Sequence, residues 1–440
     1  MLQVFANRTY RHLFLAQVIA LIGTGLLTVA LGLLAYDLAG ANAGAVLGTA
    51  LAIKMIAYVG VAPIAAAFAE RLPRRAMLVS LDLIRAGIAL MLPFIDQVWQ
   101  IYVLIFVLQS ASAAFTPTFQ ATIPDVLPEE KDYTRTLSLS RLAYDLESVV
   151  SPMLAAALLT VISFHNLFAG TVVGFLGSAA LVISASLPGP KRTEARGIYD
   201  RTTRGIRIYL ATPRLRGLLA LNLAVASSSA MVIVNTVVLV QSAFQRDQRS
   251  TALALAAFGC GSMIAALLLP RLLESIPDRR AMLTGAGLLV AGLLAATLMT
   301  SYFFLLPLWF LLGLGNSLAQ TPSGRLLRRS SHPEDRPAVF AAQFALSHAC
   351  WLITYPVAGW LGVKAGLPIT FATLAVVAAL ATVLAMKLWP ANDPDEITHT
   401  HPASDTSHPP VEGTLRTGDQ MQHRHAYVID SHHPEWPSNG

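Results

Sequence analysis

Charged residues are scarce: Asp, Glu, Lys and Arg fill 13% of the 440 positions, about half the share found in soluble domains. A chain this poor in charge is not expected to cover itself in water, so lipid is the solvent implied for most of it. Cysteine is scarcer still. Cys260 and Cys350 both lie in apolar runs with no CxxC spacing, which excludes a disulfide framework or thiolate metal site and leaves them as small packing residues. The chain also lacks a nucleotide-binding glycine loop, a nucleophile motif and a metal-hydrolase signature outside its apolar runs. An enzyme is therefore not expected, and no cofactor is implied. Arg8 and Arg11 lead into the first apolar run without a small-residue cleavage site, so that run reads as a retained helix rather than a signal peptide.

What the chain has instead is long apolar runs. Hydrophobic residues make up 55% of it and the mean hydropathy is +0.58. Roughly 20 apolar residues span the hydrocarbon core as a helix. Twelve runs meet that length: His12 to Tyr36, Gly44 to Ala69, Ala76 to Ile95, Trp99 to Ile123, Leu137 to Ser163, His165 to Leu187, Gly217 to Phe244, Thr251 to Leu273, Ala281 to Ser301, Tyr302 to Leu327, Ala338 to Val363 and Pro368 to Trp389. The expected fold is an all-α polytopic membrane protein.

The loops repeat. Arg74-Arg75-Ala76-Met77-Leu78 recurs as Arg279-Arg280-Ala281-Met282-Leu283, Thr116-Pro117 as Thr321-Pro322, and Pro128-Glu129-Glu130 as Pro333-Glu334-Asp335. The same 205-position offset separates 74 from 279, 116 from 321 and 128 from 333. Shared apolar bias does not produce matching charges and prolines in register, so the chain holds a duplicated unit with parallel copies. The expected division is a six-helix half over 1–187, a basic linker over 188–216, a second six-helix half over 217–389 and a tail over 390–440. Of the 31 lysines and arginines, 24 fall at one end of these spans, with the N-terminus, the even-numbered loops and the last helix end. The positive-inside rule then puts both termini in the cytoplasm of a bacterial inner membrane. The net charge of +6 reports that rule rather than a nucleic-acid surface. The linker alternates Ile198, Ile206, Ile208, Tyr209 and Leu210 with arginines, which suits either a short helix on the anionic inner leaflet or a plain basic loop.

Twelve spans, parallel halves and a basic turn between the second and third helix of each half resemble the major facilitator superfamily. The family's loop motif appears in part as Ala66-x-x-x-Glu70-Arg71-Leu72-Pro73-Arg74-Arg75. The resemblance implies that Glu70 and Arg71 latch helices in one access state; an ordinary basic turn is the alternative. On the fifth span, Ser151, Pro152, Ala155 and Ala156 resemble the glycine-proline motif of antiporters in that family, with small residues in place of glycines. This favours export over import, and close helix packing around a proline kink explains the same residues. The run Leu137 to Glu147, the entry Asn7 to Arg11 and the histidine-rich tail resemble a subgroup that includes nickel-resistance permeases. That resemblance implies metal export.

A charge at the centre of a spanning helix costs roughly 2.5–3.5 kcal/mol on insertion scales, so it needs a partner or a wet cavity. Asp82 and Arg85, three apart, are expected to pair, as are Arg141 and Asp145, four apart. Glu147 points about 200° away from Asp145. It cannot share that partner, so it leads the proton-coupling candidates, ahead of Asp145 and Asp82. Lys54 has no partner on its own helix and is expected to meet Glu147 or Asp82 across the bundle. His348 is a candidate for protonation or metal contact, or a packed interior histidine. Asn222 and Asn235 on the seventh span either line a path or bind helices together.

Beyond Trp389 the composition turns polar. Seven of the eleven histidines lie there: His399, His401, His408, His423, His425, His432 and His433. Such a segment is expected to be disordered. Imidazoles with nearby carboxylates suit nickel, copper or zinc, and a solvated polar tail is the alternative. Taken together, the chain is expected to be a proton-coupled exporter, monomeric, whose partners are its substrate, protons and the bilayer, with no nucleic acid. A divalent metal, nickel first, is the leading substrate. A drug or siderophore-like molecule is the alternative, and a membrane metal sensor or scaffold the alternative from another class.

Overall fold

The computed structural model describes residues 2–69, 73–127, 136, 139–140, 143, 147, 150–187, 198–273, 275–332, 335–393, 396–402, 415–417, 420–425, 427–429, 433 and 436. The first half comprises α1 (Arg8–Ala39), α2 (Ala43–Ala69), α3 (Arg74–Met91), α4 (Val98–Val126), α5 and α6 (His165–Ser184). The helix α5 is helical at residues 136, 139, 140, 143 and 147 and through 150–158. The helix α7 (Ile198–Ala211) follows. The second half comprises α8 (Pro213–Val237), α9 (Gln248–Leu272), α10 (Asp278–Ala296), α11 (Tyr302–Gln320), α12 (Ser323–Arg329), α13 (Arg336–Pro356), α14 (Gly362–Ala365) and α15 (Leu367–Leu388). Ten stretches among the described residues are long and apolar enough to cross a bilayer, and the first, Arg8–Val61, contains both α1 and α2. With α5 these make the twelve expected spans.

Local chemistry sets the ends. The Asn7 side chain accepts from the Tyr10 N–H at 3.0 Å and starts α1, as Ser301 starts α11. Pro213 and Pro368 sit in the first turns of α8 and α15, where a missing N–H costs nothing. Gly40, at φ +55°, ends α1 in a conformation that side chains rarely adopt.

The boundaries differ from expectation in three places. Thr321-Pro322 breaks the tenth span into α11 and α12, because proline cannot continue the ladder. Arg214 and Arg216 belong to α8 rather than to the linker, since Pro213 opens that helix. The tail also departs from the expected disorder. Three strands, β1 (Ile397–Pro402), β2 (Leu415–Thr417) and β3 (Gln420–His425), form an antiparallel sheet in the order β1-β3-β2. Threonine alternating with histidine in β1 and glutamine spacing in β3 give a polar strand pair that composition alone did not reveal.

Within the first half, α1 packs on α6, α2 on α4, and α3 on both α4 and α6. In the second, α9 packs on α11, α8 on α15, and α10 on α11 and α15. The repeated basic turns do parallel work. Arg75 donates to the Ala185 carbonyl just past α6, and Arg279 donates to the Trp389 carbonyl just past α15 at 2.9 Å. Each ties the third helix of its half to the sixth, one residue out of register.

The halves meet along a seam between α2 and α13. At one end, called here the clasped face, Tyr36 and Ser242 share a hydrogen bond of 2.9 Å. There Trp360 Nε1 donates to Thr49 Oγ1 at 3.0 Å, and Arg249 donates to the Leu159 and Thr160 carbonyls at 2.9 Å each. The seam depends on Gly48: a Cβ there would lie 2.6 Å from the Tyr355 carbonyl oxygen and 3.1 Å from Gly359 Cα. Toward the opposite, basic face, Val59 is 41% exposed and a Cβ on Gly60 would meet nothing within 4 Å. The halves are thus joined by side-chain contacts at the clasped face, and Val59 and Gly60 are exposed beyond Tyr58, which still meets Phe344 and His348 of α13.

Candidate functional site in the bundle interior

Midway along the seam, three helices bring ionisable groups together. Lys54 comes from α2, Glu147 from α5 and His348 from α13, each partly buried. Lys54 and His348 both lie against the ring of Tyr58. No contact ion pair joins Lys54 to Glu147 among the described residues. The expected cross-helix ion pair of Lys54, with Glu147 or Asp82, is not formed among the described residues, where Asp82 pairs with Arg85 instead.

Aromatic rings frame this cluster. Lys54 Nζ lies 5.8 Å from the centroid of Tyr58, one turn along α2. The His348 imidazole stacks on Tyr58 at 5.4 Å and 15°, and Phe344 lies 3.9 Å from the imidazole and 5.8 Å from Tyr58. His348 Nδ1 is 2.6 Å from the Phe344 carbonyl oxygen. A carbonyl only accepts, so Nδ1 carries the proton and Nε2 is the acceptor nitrogen. Tyr58 and Phe344 were missed from sequence, although each lies four residues from a singled-out ionisable residue.

Glu147 is positioned by close packing of α5 on α1. A Cβ on Gly25 would lie 2.7 Å from Glu147 Oε1 and would collide with Ser151. Ser151 and Ala155 are fully buried and Ala156 nearly so, while Pro152 is partly buried. The antiporter-like residues thus include the small face that lets α5 approach α1.

The other singled-out residues lie elsewhere. Asp82 and Arg85 pair with each other, buried within the first half. The Arg85 guanidinium lies 4.2 Å from the Phe115 ring and 4.5 Å from Phe175. That set accounts for Asp82 as a packing residue. Asn235 donates to the Ala358 carbonyl at 2.9 Å, so it binds α8 to the π turn Val357–Leu361 that follows α13. Asn222 is buried on α8 with no hydrogen-bond partner for its Nδ2. Ser229, one of the serines between these asparagines, donates to Asn316 Oδ1 on α11 at 2.9 Å; Asn316 was also missed.

Glu70, Arg71, Arg141, Asp145, His408 and His432 lie outside the described residues. For His399, His401, His423 and His425 the strand backbone is described: His399 pairs across from His423, and His401 from Met421. His433 is buried, 4.7 Å from Tyr427 ring to ring. No group of three or more metal-ligating side chains occurs among the described residues.

The bundle interior thus holds an acid and a base on different helices of the first half, beside an aromatic contact that joins the halves. Against known proteins, the Major Facilitator Superfamily matches this sequence over residues 13–243 and again over 218–418. Macrolide efflux protein A of Enterococcus faecalis is 24% identical over 152 residues, 32% of this chain and 47% of that protein. The Streptococcus pyogenes protein of the same name is 25% identical over 152 residues, 32% of this chain and 37% of its own. The chain therefore spans about half or less of these relatives. Among solved structures, a bacterial homolog of the human lysosomal transporter Spinster, inward-facing and unoccupied, superposes with a TM-score of 0.70. That match has 13% identity and covers 87% of this chain and 97% of the other. The human organic anion transporter MFSD10 superposes with a TM-score of 0.61 at 14% identity, covering 86% and 99%. At such identities the likeness is one of fold.

Proposed function

Because the chain belongs to the Major Facilitator Superfamily, we propose that this membrane transporter exports a small organic molecule in exchange for protons, with Glu147 as the proton carrier. The observation that carries this is the placement of opposite charges on different helices of the bundle interior, Glu147 on α5 packed against Gly25 of α1 and Lys54 on α2. With the carboxylate ionised, Lys54 has a counter-charge. When a proton neutralises it, the ammonium loses that partner and the balance between access states changes. Substrate and proton then use the site in turn, which is the logic of an antiporter. The 24 basic residues at one end support a cytoplasmic position for that end, and a seam closed at the clasped face then opens inward. Both termini are then cytoplasmic, and the halves are 1–187 and 217–389 around the linker 188–216.

The macrolide efflux relatives and the aromatic walls of Tyr58 and Phe344 support an organic substrate ahead of a metal. Nickel or another divalent cation is the second substrate reading, favoured by the cross-strand register of His399 and His423, where opposed residues are about 5 Å apart. A tail that bound metal would supply or buffer the ion rather than form the midplane site. A metal sensor or scaffold would respond through that tail without any flux.

Inside-out vesicles under an imposed pH gradient separate these readings, with a macrolide, a lipophilic dye and Ni²⁺ compared in wild type and Glu147→Gln. Proton-driven movement of an organic probe, lost in the variant, supports the proposal. Movement of Ni²⁺ alone would make the metal reading primary. No flux with any probe, together with Ni²⁺ binding lost when the tail histidines are replaced, would favour the sensor.

A further inference from the structure

The polar segment beyond the last span returns to the bundle, and it does so at one arginine. Asp393, four residues past Trp389, accepts from Trp389 Nε1 at 2.9 Å, and its carbonyl accepts from Arg329 at 2.7 Å. Its carboxylate also lies 3.5 Å from Arg214 in the first turn of α8. Farther along the chain, Tyr427 is 6% exposed and Ile429 5%. Both join the apolar core of the bundle, with Trp436 packed against it. Trp436 lies over the same Arg214 guanidinium, 5.1 Å from ring to cation, and meets Tyr427 edge-on at 5.2 Å. Arg214 is 2% exposed beneath these contacts. The start and the end of the C-terminal segment thus grip the base of one helix.

That helix is central to any rocking of the halves. It packs on α10, α11, α13 and α15 in its own half and on α1 and α2 of the other, and its far end carries Asn235 into the α13 junction. A segment fixed to its base has leverage on its movement. We propose that Tyr427, Ile429 and Trp436 act as a brake on the access switch: docked at Arg214 and the adjoining core, they hold α8 in the arrangement seen here, and undocking lets the halves exchange faster. Burial of Tyr427, Val428 and Ile429, with Trp436 partly buried over Arg214, gives the dock its specificity within an otherwise polar segment.

Trp436→Ala and the milder Trp436→Phe in the full-length chain test this. The primary readout is the rate at which single molecules, fluorescently labelled across the clasped face and reconstituted in liposomes, exchange between short and long distances. This needs no substrate, so it stays informative if the transport proposal fails. Flux of the lipophilic dye is the second readout. The brake predicts exchange faster by roughly three- to tenfold in Trp436→Ala, the change that loss of one buried aromatic contact allows, a smaller increase in Trp436→Phe, and a melting temperature close to wild type. Unchanged or slower exchange in both variants would overturn the proposal and leave the docked segment as part of the second half's fold.

Discussion

Leucine in place of Gly48 should force open the clasped face. The atoms around this glycine are backbone: a Cβ would stand 2.6 Å from the Tyr355 carbonyl oxygen, 3.1 Å from Gly359 Cα and 3.4 Å from Gly359 N. None can rotate away, so α2 and the end of α13 must separate, and the Trp360–Thr49 hydrogen bond of 3.0 Å goes with them. Overpacking of this kind costs about 1–3 kcal/mol. If the opposite access state is free of the clash, the cost becomes a shift of roughly 5- to 150-fold in the ratio of states. The assay is a distance distribution between spin labels at Ala41 and Arg246, both exposed at the clasped face in different halves, in a background with Cys260 and Cys350 replaced by alanine. The expected result is a gain of a longer distance in Gly48→Leu and a partial gain in Gly48→Ala. A distribution identical to wild type in both variants would refute the assignment of this contact as the closing seam.

Further outcomes follow from the same contacts. Asp82→Ala strands the buried Arg85 and should lower stability by about 3–5 kcal/mol, whereas the double replacement Asp82→Leu with Arg85→Met should recover most of it in a thermal melt. Asn235→Leu removes the 2.9 Å bond to the Ala358 carbonyl and should cost about 1–3 kcal/mol, read by the same melt. At the clasped face, the Ser250 hydroxyl and N–H hold the Asp247 carboxyl below the usual range. Its contribution is therefore present above an unfolded value of about 3.9 and lost only as pH falls through the lowered folded value. Hydrogen exchange at the start of α9 should stay slow down to about pH 4 and quicken below it, and Asp247→Asn should remove that dependence.

The parts of this molecule that were legible in the sequence are those whose signal is local or repeated. Apolar run length marked every span, and the matching Arg74-Arg75 and Arg279-Arg280 turns marked the duplication that Arg75 and Arg279 now explain by tying the third helix to the sixth. Asp82 with Arg85 was legible because partners three apart on a helix must face the same way. The acid opposite Lys54 could be narrowed only to Glu147 or Asp82, since helix order in space is not written in one sequence. Tyr58 and Phe344 escaped notice because an aromatic residue in an apolar span looks like packing until its neighbour is known. The C-terminal dock was hidden for a different reason. Its few apolar anchors, the buried Tyr427, Val428 and Ile429 and the partly buried Trp436, are diluted in a polar segment whose composition argued for disorder.

The most direct measurement of the central claim is proton release when substrate is added to the purified transporter in weakly buffered detergent solution. If Glu147 carries the proton that substrate displaces, adding a transported organic probe to wild type should acidify the medium in proportion to the protein. Glu147→Gln should bind the same probe with no release and with an affinity independent of pH. Proton release from Glu147→Gln equal to wild type would contradict the account and move the coupling group elsewhere in the bundle.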